Sequence, residues 1–167
     1  YVPDTDPLQM KSFVLDLNEG AILISFDDFP DINTLSVKNI TIQSNATVSS
    51  GTGQWFTLSG GSPSLAGNGR TLNLTLSQSD ANLLRNMSDI GKTVNDTYLA
   101  IAYSAISDYF GNPMFPLYPN GSAVRAANIT GDTTLLQVLH FDLDMNTGVL
   151  TLHFSKTYMV STFNVSG

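Results

Sequence analysis

The chain contains no cysteine, few charged residues and no hydrophobic run long enough to cross a membrane. Its 167 residues include 7 Lys and Arg against 14 Asp and Glu, so the net charge is −7 and only 13% of residues are charged. The absence of cysteine excludes disulfides, thiolate metal sites and cysteine nucleophiles. We expect no direct membrane insertion and, without a basic patch, no nucleic acid partner. Because 42% of residues are hydrophobic, a folded core is still expected.

Asparagine, serine and threonine take the place of the missing charges. Eight of the 14 asparagines begin an Asn-x-Ser/Thr sequon, whereas random placement of the 35 Ser and Thr among 167 residues would give about three. Leu72, Leu74 and Leu76 alternate with Asn73, which predicts that this sequon lies on the solvent face of a strand. The excess predicts N-linked glycans and an extracellular or cell-surface location. The alternative is that these residues simply belong to turns and strand surfaces. The sequon asparagines are Asn39, Asn45, Asn73, Asn86, Asn95, Asn120, Asn128 and Asn164.

The sequence repeats itself at an offset of 128 residues, at which Phe13–Gly20 aligns with Phe141–Gly148. The alignment predicts a linker at residues 1–3, a complete repeat at 4–131 and the first strands of a second, incomplete repeat at 132–167. We expect a piece of a long tandem array. The alternative is that the last segment donates its strands to a neighbouring identical chain, which would build a filament.

Strand-like alternation dominates the complete repeat, and one segment shows helical spacing. The predicted helix covers Ser79–Met87 with Ser79 as its N-cap, and Ser59–Pro63 is predicted as a loop between strands. About seven strands separated by turns predict an all-β, immunoglobulin-like Greek-key β-sandwich with one short crossover helix. The predicted strands are Leu8–Leu15, Ala21–Phe26, Val37–Gln43, Trp55–Leu58, Thr71–Ser77, Tyr98–Ile106 and Ala123–Ile129.

One stretch resembles a known family. Tyr98–Pro113, which ends in Asp-Tyr-Phe-Gly-Asn-Pro, is similar to the late strand of Ig-like domains first described in bacterial surface-layer proteins. Two positions depart from the family pattern, because Phe110 replaces a small residue and Asp27 stands where Ser155 keeps the usual serine. The resemblance implies tandem structural or adhesive domains without catalytic residues, similar to repeats in large extracellular proteins of protists and marine invertebrates.

Patterns that would support catalysis are weak. The two histidines, His140 and His153, both lie in the incomplete repeat, and serines occupy their positions in the complete one. A Ser-His-Asp triad is therefore not supported, and we expect no enzyme activity. Asp27 and Asp28 are adjacent and, with Asp31, are interpreted as a solvated cluster of loop acids, since neighbouring strand residues point to opposite faces.

Two acidic patterns carry metal hypotheses. Asp142, Asp144 and Asn146 place oxygen ligands at alternate positions, which suits Ca²⁺. The same spacing also fits a strand that leads into a turn, and no cofactor is expected to be required. Asp108 and Asn112 are the second candidate, for which the alternative is capping of a turn.

The sequence therefore predicts a non-enzymatic, glycosylated, structural or adhesive repeat, whose partners are neighbouring repeats of the same chain or identical chains. The alternative is a carbohydrate- or protein-binding module that uses aromatic side chains in loops. Prolines surround Phe115 in the sequence, and we expect this loop to pack its aromatics as a lid rather than present them. The candidate aromatics are Trp55, Tyr109, Phe110, Phe115 and Tyr118.

Overall fold

The computed structural model describes residues 4–48, 53–156 and 164. The chain divides into two compact units, Tyr1–Asp132 (unit 1) and Thr133–Gly167 (unit 2). The predicted linker at residues 1–3 lies outside the described residues, and the assignment of the units as repeats stays a prediction.

Unit 1 is built almost entirely of strands. Its described residues form eleven strands, one α-helix and three short 3-10 helices, and unit 2 contributes two further strands. The strands are β1 Met10–Asp16, β2 Ala21–Phe26, β3 Pro30–Asp31, β4 Ile40–Gln43, β5 Trp55–Thr57, β6 Gly61–Leu65, β7 Thr71–Leu76, β8 Tyr98–Ile101, β9 Ser107–Asp108, β10 Val124–Arg125, β11 Asn128–Thr130, β12 Val138–Asp144 and β13 Val149–Phe154. The α-helix, α1, is Gln78–Asn86, and the 3-10 helices are Ile32–Thr34, Val37–Asn39 and Val94–Asp96.

Two sheets face each other across one core in unit 1. A five-stranded sheet has the order β11-β1-β2-β7-β6, and a four-stranded sheet has the order β10-β8-β4-β5. Strand β1 runs parallel to β11, whereas the other pairs in both sheets are antiparallel. The predicted all-β sandwich with one short helix is confirmed, and the finer immunoglobulin-like Greek-key assignment stays a prediction.

Alternating apolar side chains build the core from both sheets. Phe13 and Leu15 of β1 and Ile22 and Ile24 of β2 are at most 1% exposed, and they pack in one cluster with Ile42 of β4. Each such side chain contributes about 1.5–3 kcal/mol by leaving water. The sandwich is therefore held by apolar burial, as expected for a chain without disulfides.

The number of strands is larger than the seven predicted for the complete repeat. The predicted strand Ala123–Ile129 is two strands, β10 and β11, which belong to different sheets. The chain crosses between the sheets at Ala126 and Ala127, whose N–H groups donate to Thr97 and Phe13 respectively, both at 2.8 Å. The predicted strand Tyr98–Ile106 ends early, at Ile101, because a turn with Ser104 at φ 61° follows it. The predicted strand Val37–Gln43 begins as a 3-10 helix and becomes extended only at Ile40.

The prediction of a loop at Ser59–Pro63 is wrong for the second half of this segment, where β6 begins. Strand β6 lies at the edge of its sheet and pairs with β7, which tolerates Pro63 because an edge strand can do without one N–H donor. Gly61 permits this pairing, since a Cβ atom there would lie 2.6 Å from the carbonyl oxygen of Thr75. The composition of this segment, rich in Gly, Ser and Pro, is typical of a loop, although half of the segment is a paired strand.

Helix α1 is present, but its N-cap is Ser77 rather than the predicted Ser79. The Ser77 hydroxyl accepts a hydrogen bond from the Asp80 N–H at 3.2 Å. Asp80 is fully buried and its carboxylate accepts three hydrogen bonds, from Ser59 N–H at 2.8 Å, Ser59 hydroxyl at 2.6 Å and Gly60 N–H at 3.1 Å. The helix thereby fixes the connection between β5 and β6. Among the described residues no helix has the length and apolar character needed to span a membrane.

Candidate functional site

The sequon asparagines lie mostly at the surface of the described structure. Asn39 and Asn73 are partly buried, and the other six are exposed: Asn45, Asn86, Asn95, Asn120, Asn128 and Asn164. Asn73 lies on an inner strand of the five-stranded sheet, between Leu23 and Ser64, and its side-chain oxygen is buried with no hydrogen-bond partner. The leucines beside it are buried as predicted, so the alternation is correct although Asn73 is only partly accessible.

All five candidate aromatic side chains are exposed in unit 1. Trp55 is 61% exposed, and Phe115 and Tyr118 are 60% and 57% exposed. The expectation that the proline-rich loop packs Phe115 as a lid is wrong, because the buried member of this loop is Met114. The N–H of Phe115 donates to the Leu8 carbonyl at 2.8 Å, which fixes the backbone and leaves the ring in solvent.

A cavity of about 360 Å³ lies beside Trp55 on the outer face of the four-stranded sheet. Its floor carries the hydroxyls of Thr41 and Thr57, which are 2.9 Å apart. The amide of Gln43 is fully buried and donates to the Pro119 carbonyl at 2.9 Å, while its oxygen has no partner. We call this cavity the Trp55 trough. Its lining is Thr41, Gln43, Val48, Trp55, Thr57, Pro119 and Asn120.

A second cavity, of about 190 Å³, shares part of the same lining. Thr41, Thr57 and Pro119 line both cavities, and Tyr118 lines the second one. The two cavities together have an exposed aromatic side chain on each side of a hydroxyl-bearing floor. Among the described lining residues there is no Asp or Glu, and the one charged residue is Lys38 at the second cavity. Aromatic faces next to hydroxyl and amide groups suit a neutral, polar ligand.

Two of the loop acids, Asp27 and Asp31, make separate local contacts. Asp27 accepts from the Gln9 N–H at 2.9 Å and lies 3.4 Å from the Lys11 ammonium group. Asp31 caps the first 3-10 helix by accepting from the N–H of Asn33 at 3.0 Å.

Asp28 belongs to a different cluster, with Asp4 and Asp108, whose carboxylate oxygens lie within 4.8 Å of one another. Asp108 is only 3% exposed and accepts from the N–H of Phe110 at 2.9 Å and from the N–H and side-chain amide of Asn112, both at 2.8 Å. These hydrogen bonds form a capped turn, which is the alternative to metal binding by Asp108 and Asn112.

The predicted calcium ligands of unit 2 lie at the end of β12. The backbone N–H of Asn146, then the hydroxyl and N–H of Thr147, lower the pKa of the Asp144 carboxyl. Asp142 instead contacts His153, with 2.9 Å between Oδ2 and Nε2. Calcium at Asp142, Asp144 and Asn146 stays a prediction.

The turns of the two hairpins, β1–β2 and β12–β13, are built alike. Asp16 and Asp144 each accept hydrogen bonds from the N–H groups two and three residues later, at 2.9 and 3.0 Å in unit 1 and at 2.8 and 3.2 Å in unit 2. Each turn ends at a glycine with positive φ, 67° for Gly20 and 68° for Gly148, which favours a residue without a side chain.

The strand registers of the two hairpins also agree. Ser12 pairs with Ser25 and His140 pairs with His153, and each hairpin has a register irregularity immediately before the first of these residues. Burial is where they differ, since Leu15 is 0% exposed and Leu143 at the same register position is 52% exposed. We call the apolar side of the second hairpin the unit-2 face. It comprises Phe141, Leu143, Leu150, Leu152 and Phe154, of which the first three are exposed and the last two partly buried.

Sequence reasoning missed two groups of residues. The floor of the Trp55 trough is formed by Thr41 and Thr57, which are unremarkable strand residues until β4 and β5 are paired. The pairing of His140 with His153 could have been found, because the 128-residue offset places both opposite Ser12 and Ser25, and these face each other across a predicted hairpin.

No protein-family model matches this chain, and no curated protein matches it in sequence. Among solved structures, the chain is similar to the crystal structure of the S-layer protein rSbsC(31-844), at 16% identity and a TM-score of 0.46 over 89% of this chain. It is also similar to the N-terminal part of the bacterial S-layer protein SbsC and to SbsC domains 1-6, at 14% identity and TM-scores of 0.46 and 0.45. The chain spans 18%, 31% and 18% of the length of these three structures.

Proposed function

We propose that this chain is a non-enzymatic, extracellular structural domain built from tandem repeats. The observation that carries the proposal is the pair of hairpins with one register and one turn, of which the first is buried in a sandwich and the second presents the same face to solvent. In unit 1 the corresponding face of the first hairpin is covered by other strands. There, β7 pairs with β2, and the opposite sheet closes the core.

We propose that the unit-2 face is covered by the remaining strands of a second repeat in the same polypeptide. The face matches the core side of unit 1 in residue type, with Phe141 for Phe13 and Leu143 for Leu15. A two-stranded hairpin alone is marginally stable in water, so further strands would supply most of its stability. Sandwiches joined in series would give an extended, load-bearing molecule.

The test completes the second repeat with the strands of the first. Because residue 167 corresponds to residue 39 at the 128-residue offset, residues 40–131 of this chain are appended after Gly167. We expect a monomer in which backbone amides of β12 and β13 become strongly protected from hydrogen exchange, as those of β1 and β2 are. The matched control carries Phe141→Ser and Leu150→Ser and should lose this protection in unit 2 only.

Two outcomes contradict this assignment. If the appended segment stays unstructured and the amides of β12 and β13 exchange freely, the hairpin is not the start of a repeat. If the 167-residue chain instead forms regular filaments that the two serine substitutions abolish, the occupant is an identical chain rather than a later segment.

A carbohydrate-binding module is the second candidate function, and the exposure of Trp55 beside the trough favours it. The ring would stack on the apolar face of a sugar, while the hydroxyls of Thr41 and Thr57 would bind its hydroxyls. Trp55 is the single tryptophan of the chain, so no other tryptophan contributes to the fluorescence change at the trough. Titration of neutral oligosaccharides into unglycosylated protein should shift its emission to shorter wavelength and saturate.

The matched control for this titration is Tyr103→Ala, which removes an aromatic residue of similar exposure that lines neither cavity. It should leave binding unchanged, whereas Thr41→Val with Thr57→Val should weaken it about tenfold, since two hydrogen-bonding groups are lost. If the emission of Trp55 does not change with any oligosaccharide in the series, the carbohydrate-binding function is contradicted.

A further inference from the structure

The two histidines of the chain meet on the outer side of the unit-2 hairpin, opposite the unit-2 face. Their rings are stacked, with centroids 4.0 Å apart and an interplanar angle of 13°. His140 is the cross-strand partner of His153, and Asp142 lies two residues along β12 on the same side. One imidazole nitrogen from each histidine and one carboxylate oxygen of Asp142 lie within 4.8 Å of one another.

We propose that His140, Asp142 and His153 bind a divalent transition metal ion of the zinc class. Two imidazoles and one carboxylate are a donor set that Zn²⁺ accepts in a site with an open position for water. Ligand atoms around a tetrahedral zinc lie roughly 3.3 Å apart, so ligand pairs that are farther apart need to close by about 1.5 Å or less. Asp142 and His153, now 2.9 Å apart, would exchange their hydrogen bond for bonds to the metal, and the stacked rings would turn so that a nitrogen of each points at it.

The cluster is specific to unit 2, and the fold of the hairpin does not require it. At the same register positions unit 1 has Ser12, Val14 and Ser25, and the hairpin there has the same pairing and the same turn. The side chain of Asp142 is 71% exposed and that of His153 is 43% exposed, so a metal ion and its water ligands can reach the site.

A metal at this position would join the two strands, because two ligands come from β12 and one comes from β13. Ligation of this kind stabilises the folded hairpin by an amount that grows with the logarithm of the metal concentration over the dissociation constant. The choice of ion follows from the nitrogen ligands, since Ca²⁺ and Mg²⁺ prefer oxygen donors. The proposal is therefore distinct from the calcium hypothesis at Asp142, Asp144 and Asn146, although both use Asp142.

The test is isothermal titration of the full 167-residue chain, made without a histidine tag, with ZnCl₂. We expect one zinc ion per chain, together with shifts of the ring proton resonances of both histidines. His140→Ser, Asp142→Val and His153→Ser install the residues that unit 1 has at these positions. Each should weaken zinc binding at least about tenfold. Circular dichroism should show an unchanged thermal transition of unit 1 in all three variants.

The matched control is Asp144→Asn, which removes a carboxylate two residues from Asp142 and keeps the side-chain oxygen that caps the turn. It should leave zinc affinity unchanged, and millimolar Ca²⁺ should not displace the zinc. The proposal is overturned if no stoichiometric zinc binding occurs or if the three substitutions leave binding intact. It is also overturned if Asp144→Asn weakens binding as much as Asp142→Val, since the metal would then sit at the turn.

Discussion

Buried polar residues in unit 1 hold connections between strands, and Asp80 is the clearest case. Its carboxylate lies at 0% exposure and is stabilised by three hydrogen-bond donors from the β5–β6 connection. The position in the first turn of α1 adds a favourable interaction with the helix dipole. A charge buried in this way is stable only while every donor stays in place.

Replacement of Asp80 by alanine should therefore destabilise unit 1 by about 2–4 kcal/mol, because three donors lose their acceptor inside the protein. Asp80→Asn should cost less, since an amide oxygen still accepts one of these hydrogen bonds. Urea unfolding followed by tryptophan fluorescence measures both. The exposed Asp89→Ala is the control, and equal midpoints for it and for Asp80→Ala would contradict this role.

Asp96 provides a pH-dependent contribution near the start of β8. Burial tends to raise the pKa of the Asp96 carboxyl, but hydrogen bonds from Thr93, Thr97 and Lys92 outweigh it, and the pKa is lowered below its usual 3.8. A lowered pKa in the folded state stabilises the fold at pH values above the unfolded pKa. This contribution is lost as the pH falls through the folded pKa.

Asp96→Asn should accordingly destabilise unit 1 by about 1 kcal/mol at neutral pH. The difference between the variant and the original chain should shrink as the pH is lowered from 7 towards 2, because the original carboxyl becomes protonated. Unfolding midpoints across this pH range give the comparison, with the exposed Asp6→Asn as control. A difference that stays constant in acid would mean that the charge of Asp96 is not what stabilises the turn.

At the scale of elements, the periodicity of apolar residues predicted those strands whose own sequence alternates between core and solvent positions. Burial alternates along all of β7, from Phe13 onward in β1 and from Ile22 onward in β2, because there each strand has one face in the core and the other outside. The edge strand β6 was missed because its stability comes from pairing with β7, and its own residues are poor strand formers. The Trp55 trough was missed for a similar reason, since its floor exists only when β4 and β5 are paired.

The two hairpins allow one substitution to be compared in two environments. Leu15→Ala should destabilise unit 1 by about 2–5 kcal/mol, since it leaves a cavity in a filled core. Leu143→Ala, at the same register position in unit 2, should leave the unfolding of unit 1 unchanged, because Leu143 belongs to unit 2 and is exposed there. Thermal unfolding of the two variants side by side provides the measurement, and equal losses of stability would contradict the assignment of Leu143 to an uncovered face.

At the scale of the whole molecule, the low charge and the abundant sequons both affect how the surface is hydrated. With 13% charged residues the surface depends on uncharged polar groups for much of its hydration, and several of the chain's large apolar side chains are exposed. Glycans would supply both hydration and steric separation. Those attached at Asn120 or Asn39 would also stand at the two cavities, and would compete with any carbohydrate ligand there.

Secretion from a eukaryotic host should therefore yield protein with glycans at the exposed sequons, and least at Asn73. The reason is steric, because Asn73 lies between two paired strands, whereas Asn45 lies in an exposed bend. Enzymatic release of the glycans in H₂¹⁸O, followed by peptide mass spectrometry, measures the occupancy of each asparagine. Asn45→Gln should lower the glycan mass and Asn73→Gln should barely change it. Full occupancy at Asn73, or none at the exposed asparagines, would show that the sequons reflect strand and turn composition, and the hydration of this surface would need another explanation.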